Sequence, residues 1–480
     1  MSRLPAYSFG ALCLLTGVGF LLFPTYPNYD SYYSLLWGRE VLDLDTPFFE
    51  GFRVPTEHPL AIAAGALLSL IGEIADRLWV ALTLATFLIL VWGVYRLAAR
   101  SFTPVVGLIA AALLVTRFDF AFLAARGYID IPFMALVVWA AVLEFEKPRR
   151  GTAVFVLLGL AGMLRPEAWF MAGMYWVWIV IRATWPERAR ATAWAALGPA
   201  VWFGVDFAVT GDPLFSLHYT AASADDLGRS RTRSELPAAV PYFLSNIVKL
   251  PVLLAALTGI VLAFVVTPKR AVGPFTLFAA GLVTFFAIGA AGASVIERYL
   301  VVAALGLLIF AAVSFGGWTM LAPGRLRTGW MTVAAMVAIG GLVYTVLNVN
   351  LRRFENELTF RGDAHTALVG VLRDDAVTAG LRCGPLTFPN HKLVPDGRWI
   401  LDLPADRVFA RADTGKGTRS RPDAGKGAAA QTGVAIYAVS RIAIFKHAFS
   451  DENDPASIQV PPPGWQRAVT SDFYAAYVRC

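Results

Sequence analysis

The 480-residue chain has few charged residues, few cysteines and few histidines. Asp, Glu, Lys and Arg make up 16% of it, against about 25% in an average soluble domain, whereas 57% is hydrophobic. This balance excludes an ordinary soluble enzyme. The three Cys are too few for a disulfide framework, and the five His show no HxxxH or HExxH spacing that would indicate zinc. Much of the positive charge lies in short loops between apolar runs, which argues against nucleic acid as a partner.

The apolar runs are long enough to form membrane helices, since about 20 residues are needed to cross a bilayer. The sequence therefore predicts an all-α polytopic membrane protein with about eleven transmembrane helices. The predicted spans lie near 7–23, 78–98, 104–120, 131–145, 152–164, 168–181, 191–209, 249–266, 272–292, 299–315 and 330–349.

Arg and Lys clusters lie in every second predicted loop, from Arg96 and Arg100 to Arg325 and Arg327. The positive-inside rule places these loops in the cytoplasm, so we expect a cytoplasmic N-terminus in the plasma membrane and an extracytoplasmic C-terminal domain. No small-residue cleavage site follows the first run, which is therefore predicted to remain as a signal anchor. The first outer loop, 24–77, contains an apolar run at 60–71 that is too short to span, so it is predicted to be an interfacial helix.

The polar tail differs from the rest of the chain. We predict a transmembrane catalytic domain over 1–349 and an extracytoplasmic α/β domain over 350–480, with a disordered loop at 412–433, which is rich in Gly, Ala, Lys and Arg. Cys383 and Cys480 are predicted to form a disulfide, with two separately buried thiols as the alternative. Strand-like runs occur at 385–388, 399–403, 434–439 and 473–478.

Two acidic residues stand near the predicted outer surface. Asp30 comes seven residues after the apolar run ends at Phe23. An inverting sugar transfer needs one such carboxylate, because it accepts the proton of the attacking hydroxyl; the alternative is a solvated loop residue. Asp130 lies in the segment from Arg126 to Pro132, and either belongs to a site or forms a structural pair with Arg126.

Basic residues at the same face could bind an anion. A proline breaks the helix after Arg165, and the half-helix that follows exposes backbone N–H groups. Arg165 is therefore a candidate ligand for a phosphate, with an ion pair to Glu167 as the alternative. Arg298 opens the tenth span and either binds a phosphate or marks the interface. Lys249 and His218 place positive charge on the outer side, against the positive-inside rule, which suggests an anionic ligand.

Six short motifs, in this order on one membrane face, resemble the GT-C glycosyltransferase superfamily. They are Asp30 with Tyr33, Glu57-His58-Pro59-Leu60, Tyr128-Ile129-Asp130-Ile131-Pro132, Leu164-Arg165-Pro166-Glu167, Gly211-Asp212-Pro213-Leu214 and Glu297-Arg298-Tyr299. The resemblance covers about residues 1–320 and is to the protein-mannosyltransferase and aminoarabinose-transferase type, which take a sugar from a polyprenyl phosphate. The Arg-Pro-Glu-Ala-Trp segment and the composition are similar to actinobacterial members.

This resemblance implies a role for each motif. Asp30 would be the catalytic base, and Asp130 a second catalytic carboxylate that helps to bind the acceptor or a divalent metal, Mg²⁺ or Mn²⁺. Ser31 stands where many relatives carry a second acid, so metal dependence stays open. The ligands of the donor phosphate would be Arg126, Arg165, Lys249 and Arg298. The residues that contact substrate would be Tyr33, Glu57, His58, Tyr128, Glu167, His218 and Tyr299.

The sequence therefore predicts an inverting glycosyltransferase of the cell envelope. It would move a hexose or pentose from a polyprenyl-phosphate donor to a hydroxyl of a glycan, lipid or protein, on the extracytoplasmic face of the bilayer. A transporter or flippase of a lipid-linked or anionic substrate is the alternative, because many spans with polar residues also fit a substrate path. A third hypothesis makes the tail a carbohydrate-binding module, but the predicted spans are more than an anchor needs.

Overall fold

A computed structural model describes residues 3–226, 233–292, 294–348, 351–416, 422–447 and 461–480. The chain packs into two compact units, each assembled from segments that are distant in the sequence. Unit 1 comprises Met1–Leu22, Ala81–Gly204 and Arg229–Glu355. Unit 2 comprises Phe23–Val80, Val205–Gly228 and Asn356–Cys480. The first outer loop thus packs with the tail, a division that differs from the boundary expected at 349–350.

The described residues are mainly helical. The α-helices are α1 (Leu4–Leu22), α2 (Tyr29–Leu42), α3 (Pro59–Ser69), α4 (Ala75–Ser101), α5 (Pro104–Val115), α6 (Phe118–Ala125), α7 (Asp130–Glu146), α8 (Thr152–Gly162), α9 (Glu167–Val180), α10 (Trp185–Thr210), α11 (Phe215–Asp226), α12 (Leu236–Val248), α13 (Leu250–Val266), α14 (Pro268–Ala290), α15 (Val301–Gly316), α16 (Arg325–Asn348), α17 (Leu351–Leu372), α18 (Asp375–Gly380), α19 (Val394–Leu401), α20 (Lys426–Ala429) and α21 (Arg441–Lys446). The strands are β1 (Leu386–Phe388), β2 (Val408–Ala410), β3 (Gly433–Ala438), β4 (Gln466–Thr470) and β5 (Tyr474–Arg479).

The chain is a multi-pass membrane protein, and each predicted apolar run contains an α-helix. Among the described residues, six helices are long and apolar enough to cross a membrane, or eight if the bent pairs α5–α6 and α12–α13 each count as one span. The sequence predicts about eleven spans, a higher number that includes α7, α8 and α9. These three have 17, 11 and 14 residues, or about 17–26 Å at 1.5 Å per residue, less than the hydrocarbon core of about 30 Å.

Helix α15 forms the centre of unit 1. Nearly all of its residues are buried, and α5, α13 and α14 pack against it. Small residues permit this packing: a Cβ on Gly259 of α13 would collide with the carbonyl of Phe310, and one on Gly281 of α14 with the backbone of Ala303. The 3-10 turn Glu297–Leu300 leads directly into α15 and is therefore joined to the best-packed helix of the unit.

Unit 2 contains a five-stranded sheet in the order β2–β1–β3–β5–β4. Strand β1 pairs in parallel with β2 and β3, and β5 is antiparallel to β3 and β4. Leu386 of β1 lies opposite Val408 on one side and Val434 on the other, and all three side chains are buried in one core. Cys383 and Cys480 form a disulfide with their Cα atoms 5.2 Å apart, which links the residue after β5 to the segment before β1.

Strands occur at three of the four places where the sequence predicts them. The prediction at 399–403 is wrong, because those residues fall at the end of α19, which buries Val394, Gly397 and Arg398 at helical spacing. Strands β2 and β4 were not predicted. The loop prediction at 412–433 is wrong where the residues are described: Asp413 and Gly427 are buried and α20 forms there, while 417–421 lie outside the described residues.

Candidate functional site

Asp130, the first residue of α7, accepts hydrogen bonds from two arginines of unit 1. Its Oδ1 accepts from Nη1 of Arg165 and, at 3.2 Å, from Nε of Arg298, while its Oδ2 lies 2.6 Å from Nη2 of Arg298. The carboxylate is fully buried. Because both of its oxygens accept from guanidinium groups, Asp130 acts here as the counter-ion of the arginines.

Arg165 takes its position from the break between two helices. Arg165 lies between α8 and α9, where Pro166 precedes the first turn of α9. Its Nε donates to Oε1 of Glu167 at 2.8 Å, and its Nη2 pairs with the same oxygen. With 7% of its side chain exposed, Arg165 is a buried member of a group in which two acids balance two arginines.

Arg298 is the member of this group that remains accessible. It belongs to the turn Glu297–Leu300, and 37% of its side chain is exposed even though Asp130 holds its guanidinium on one side. The guanidinium lies 5.7 Å from the ring centre of Tyr128, and that of Arg165 lies 5.5 Å from the ring of Tyr299. Cation–π contacts of this kind fix the planes of both groups.

The other two predicted phosphate ligands are placed differently. Arg126 caps the C-terminus of α6 and is partly buried. Lys249 joins α12 to α13 with a backbone φ of 69°; its Nζ donates to the carbonyl of Asn246 at 2.7 Å and lies 3.9 Å from Oδ2 of Asp119. The structure therefore groups Arg165 and Arg298 around Asp130, and pairs Lys249 with Asp119.

Asp30 lies in the first turn of α2, in unit 2. The side chain of Asn28 caps this helix by accepting from the backbone N–H groups of Asp30, at 2.8 Å, and Ser31, at 3.3 Å. Asp30 is partly buried, and its carboxylate stands where the partial positive charge of the helix N-terminus stabilises an anion. The position thus favours an ionised carboxylate on a rigid helix.

Tyr33, predicted to contact substrate, is a core residue of unit 2. It is buried with Trp37 and Phe49, and its ring centre lies 5.1 Å from that of Tyr29. Burial raises the pKa of Tyr33 to about 12, so the phenol stays protonated.

Glu57 belongs to a buried acidic cluster that sequence analysis missed in part. The hydroxyl oxygen of Ser216 lies 2.7 Å from Oε1 of Glu57 and 2.7 and 2.6 Å from the two carboxylate oxygens of Asp206. A serine hydroxyl has one hydrogen, so these short contacts require a proton on one of the two acids. Burial, followed by the neighbouring Asp206, raises the pKa of Glu57 to about 8. The signal for the cluster was an acid inside the predicted span 191–209.

The two predicted histidines have separate environments in unit 2. His58 precedes α3, whose first residue is Pro59. The Nδ1 of His218 lies 2.8 Å from Oδ2 of Asp212, and both side chains are exposed. Among the described residues, no group of three His, Cys, Asp or Glu side chains could bind a metal ion together. Both carboxylate oxygens of Asp130 are engaged by arginines.

The tail contacts both ends of α2 within unit 2. Near its start, the ring of Tyr29 lies 5.3 Å from that of His391 and is 5.9 Å from Nζ of Lys392. Near its end, Glu40 pairs with Arg398 of α19, and Arg39 lies 2.6 Å from Asp402. The helix that carries Asp30 is therefore held by residues more than 340 positions away in the sequence.

Comparison with known proteins gives structural similarity only. No protein-family model matches the chain, and no curated protein sequence matches it significantly. A crystal structure of ArnT from Cupriavidus metallidurans bound to undecaprenyl phosphate superposes with a TM-score of 0.55 at 13% identity, over 99% of this chain and 98% of ArnT. The apo form of ArnT gives a TM-score of 0.51 at 14% identity over the same shares of the two chains.

A second enzyme has a similar structure. The oligosaccharyltransferase of Archaeoglobus fulgidus, tethered to an acceptor peptide containing the NVT sequon, superposes with a TM-score of 0.53 at 12% identity, over 99% of this chain and 74% of that one. Both neighbours are multi-pass membrane glycosyltransferases of the GT-C type. The chain therefore has the GT-C fold that the sequence motifs predict.

Proposed function

We propose that the chain is an inverting glycosyltransferase, which takes a sugar from a polyprenyl phosphate and transfers it to an acceptor hydroxyl. The observation that carries this proposal is the environment of Arg298. Its guanidinium is partly exposed and forms an ion pair with the buried Asp130, in a chain with the GT-C fold. An arginine presented in this way suits a phosphate, which it can bind with two parallel hydrogen bonds.

The leaving group requires positive charge rather than a proton. As the bond between the anomeric carbon and the phosphate oxygen breaks, the electron pair remains on the lipid phosphate, and Arg298 stabilises the charge that develops there. Asp130 positions Arg298, and Arg165 with Glu167 balances the charge of this pair. We therefore assign Asp130 a positioning role and Arg165 a supporting one, and keep Arg126 and Lys249 as secondary candidates for the phosphate.

The attacking group requires a base. Asp30 would accept the proton from the acceptor hydroxyl while the hydroxyl oxygen attacks the anomeric carbon from the face opposite the phosphate, which inverts the configuration. The position of Asp30 in the first turn of α2 supports this role because the helix N-terminus favours the ionised form. No step of this mechanism uses a metal ion. Tyr128, Tyr299 and His218 remain proposed contacts to substrate.

The proposed topology puts the N-terminus in the cytoplasm and the tail outside. The Arg and Lys clusters in alternate loops support this orientation, and so does the disulfide of the tail, because disulfides persist in oxidising compartments.

Titration of the purified full chain with undecaprenyl phosphate tests the proposal. We expect binding to the parent chain and roughly tenfold or greater weakening in Arg298→Gln, since a hydrogen bond to a charged group contributes about 1.5–3 kcal/mol. Arg325→Gln is the matched control, because Arg325 is an exposed arginine of unit 1 in a predicted cytoplasmic loop. Equal affinity in all three proteins would remove Arg298 from the phosphate site. Movement of a labelled lipid across liposomes without any glycosylated product would favour the flippase.

A further inference from the structure

A basic cavity lies in unit 1, at the ends of helices α7 to α10. It has a volume of about 230 Å³ and is lined by the turn between α7 and α8 and by the first turns of α10. Four of its lining residues are arginines and one is acidic: Arg149, Arg150, Arg182, Arg190 and Glu187. Beyond the orienting role of the arginine clusters, no binding or catalytic role assigned above involves these residues.

The cavity is at the opposite end of α7 from Asp130. Asp130 begins this helix, and the cavity follows its last residue, Glu146, about 26 Å further on at 1.5 Å per residue. The chain then returns through α8 to Arg165, which contacts Asp130. The cavity therefore lies on the face that carries the orienting arginine clusters.

The acids near the cavity are already engaged. Glu144 accepts hydrogen bonds from the backbone N–H groups of Arg149, at 2.7 Å, and Arg150, at 3.2 Å, so it builds the turn itself. Glu146 is occupied by Arg96 at 2.7 Å and lies 3.7 Å from Arg100. Glu144 keeps its negative charge while it accepts from the neutral backbone N–H groups, so the four arginines of the cavity face two acids, Glu144 and Glu187, and an excess of positive charge remains.

Glu187, the acid that lines the cavity, interacts with Arg190 and offsets part of the positive charge. Glu187 accepts from the backbone N–H and the hydroxyl of Thr184, both at 2.8 Å. Thr152, the first residue of α8, lines the cavity, and no side chain caps the N-terminus of this helix. The partial positive charge of the helix end adds to that of the arginines.

Tryptophans indicate the depth of the cavity in the membrane. Trp194 lines it, Trp178 is half-exposed beneath the guanidinium of Arg149, and Trp185 is 79% exposed at the start of α10. Exposed tryptophans concentrate where the hydrocarbon core meets the headgroups. Arginines beside such tryptophans are in reach of lipid phosphates when the helices lie in a bilayer.

We propose that this cavity binds the phosphate of an anionic lipid headgroup from the leaflet on its own side of the membrane. Arg150, Arg182 and Arg190 supply the charge-assisted hydrogen bonds, and Arg149, stacked over Trp178, fixes the turn. A free phosphate ion offers the same oxygens but not the acyl chains, which is how the two sources are distinguished. The site is independent of the proposed sugar transfer and can be tested without a sugar donor.

Native mass spectrometry of the detergent-purified full chain, with phosphatidylglycerol as the probe, tests this site. The triple variant R150Q/R182Q/R190Q is compared with K269Q/R270Q/R325Q, which removes the same charge from exposed positions in loops of the same predicted side. We expect phosphatidylglycerol to bind the cavity variant roughly a hundredfold more weakly, and the control within about twofold of the parent. If the triple variant does not fold, Arg190→Gln is compared with Arg325→Gln in the same way.

Three results would overturn the proposal. Equal loss in the two triple variants would reveal diffuse attraction rather than a site. Equal binding of phosphatidylcholine would show that the site does not select the net negative charge of the lipid headgroup. Displacement of phosphatidylglycerol by inorganic phosphate at comparable concentrations would assign the cavity to a free anion.

Discussion

Glu40 and Arg398 form an ion pair although 358 positions separate them in the sequence. The Arg398 side chain is almost completely buried, so the pair is shielded from water. Beside it, the guanidinium of Arg39 lies 5.2 Å from the ring centre of Trp399. Since Asp30 lies in the first turn of α2 and Glu40 near its end, the tail stabilises the element that carries the proposed base.

Removal of Arg398 should destabilise unit 2 strongly. We expect Arg398→Ala to cost about 3–5 kcal/mol, because Glu40 would be left partly buried without its partner. The exchanged pair E40R/R398E should recover part of this loss. Thermal unfolding, with hydrogen exchange of residues 29–42, measures both. Asp402→Ala is the control, since Asp402 is 81% exposed and an exposed pair contributes about 0–1 kcal/mol. A similar loss of stability in Asp402→Ala would show that the burial of the Glu40–Arg398 pair does not determine its contribution.

Replacement of the proposed base should stop transfer without unfolding the chain. Asp30→Asn keeps the shape of the side chain but loses its basicity, so the transfer rate should fall about 10²–10⁴-fold. Asp43→Asn, at the exposed C-terminal cap of the same helix, should remain active. Rates are measured with a lipid-linked sugar at saturation. Activity above about a tenth of the parent rate in Asp30→Asn would exclude Asp30 as the base.

The two arginines that contact Asp130 should differ in their effects. Arg165→Gln should lower the unfolding free energy by about 3–5 kcal/mol, because it leaves buried carboxylates with too little positive charge. Arg298→Gln should cost less stability, because its side chain is partly exposed, and should weaken lipid-phosphate binding instead. Unfolding midpoints and binding isotherms for both variants separate the two roles. The assignment fails if Arg165→Gln binds lipid poorly at parental stability.

The acidic cluster of Glu57 should make stability depend on pH. Burial and Asp206 raise the pKa of Glu57 from its usual value of 4.5 to about 8, so the folded chain binds more protons than the unfolded chain between these values. The unfolding free energy should therefore fall as the pH rises from about 4.5 to 8.

Glu57→Gln should reduce this slope, because the amide cannot ionise beside Asp206. The unfolding midpoints of this variant and of the parent are measured at about pH 5, 6.5 and 8, which span the window between the two pKa values. Glu50→Gln, which changes an exposed glutamate of the same loop, should retain the parental slope. Identical slopes in the parent and Glu57→Gln would show that the cluster does not share a proton.

The disulfide should be present in the isolated protein and should stabilise the tail. Peptide mapping without reduction is expected to recover Cys383 linked to Cys480, while Cys13 alkylates freely. Replacement of both linked residues by Ser should cost about 2–4 kcal/mol, by releasing a closed loop of the unfolded chain. Alkylation of the tail cysteines, after reduction, only by reagents that enter the cytoplasm would contradict the proposed orientation.

Sequence analysis located the membrane helices because their signal is local. An apolar run of sufficient length has few alternatives in lipid, so helices such as α4 and α14 follow directly from composition. The run at 60–71 was also correctly predicted to be helical, since α3 forms there. The number of spans was harder to predict because α8, between a Gly and an Arg-Pro break, is helical but short.

The pairing of charged residues could not be predicted in the same way. Asp130, Arg165 and Arg298 each stand out as ionisable residues beside apolar runs, but nothing in their spacing shows that they meet. The Arg165–Glu167 pair was foreseeable because it is local. Asp206 and Ser216 were missed because one lay inside a predicted span and the other carries no charge.

The two ion pairs of Asp130, with Arg165 and Arg298, have a consequence for the synthesis of the chain. Asp130 and Arg298 are 168 residues apart, so at about 5–20 residues per second a ribosome completes this stretch in roughly 8–34 seconds. Until then, two acids share Arg165 alone, and the nascent bundle carries a surplus negative charge beside its apolar helices. Insertion of α7 and α9 must therefore tolerate an incomplete charge balance, which the synthesis of Arg298 restores late in translation.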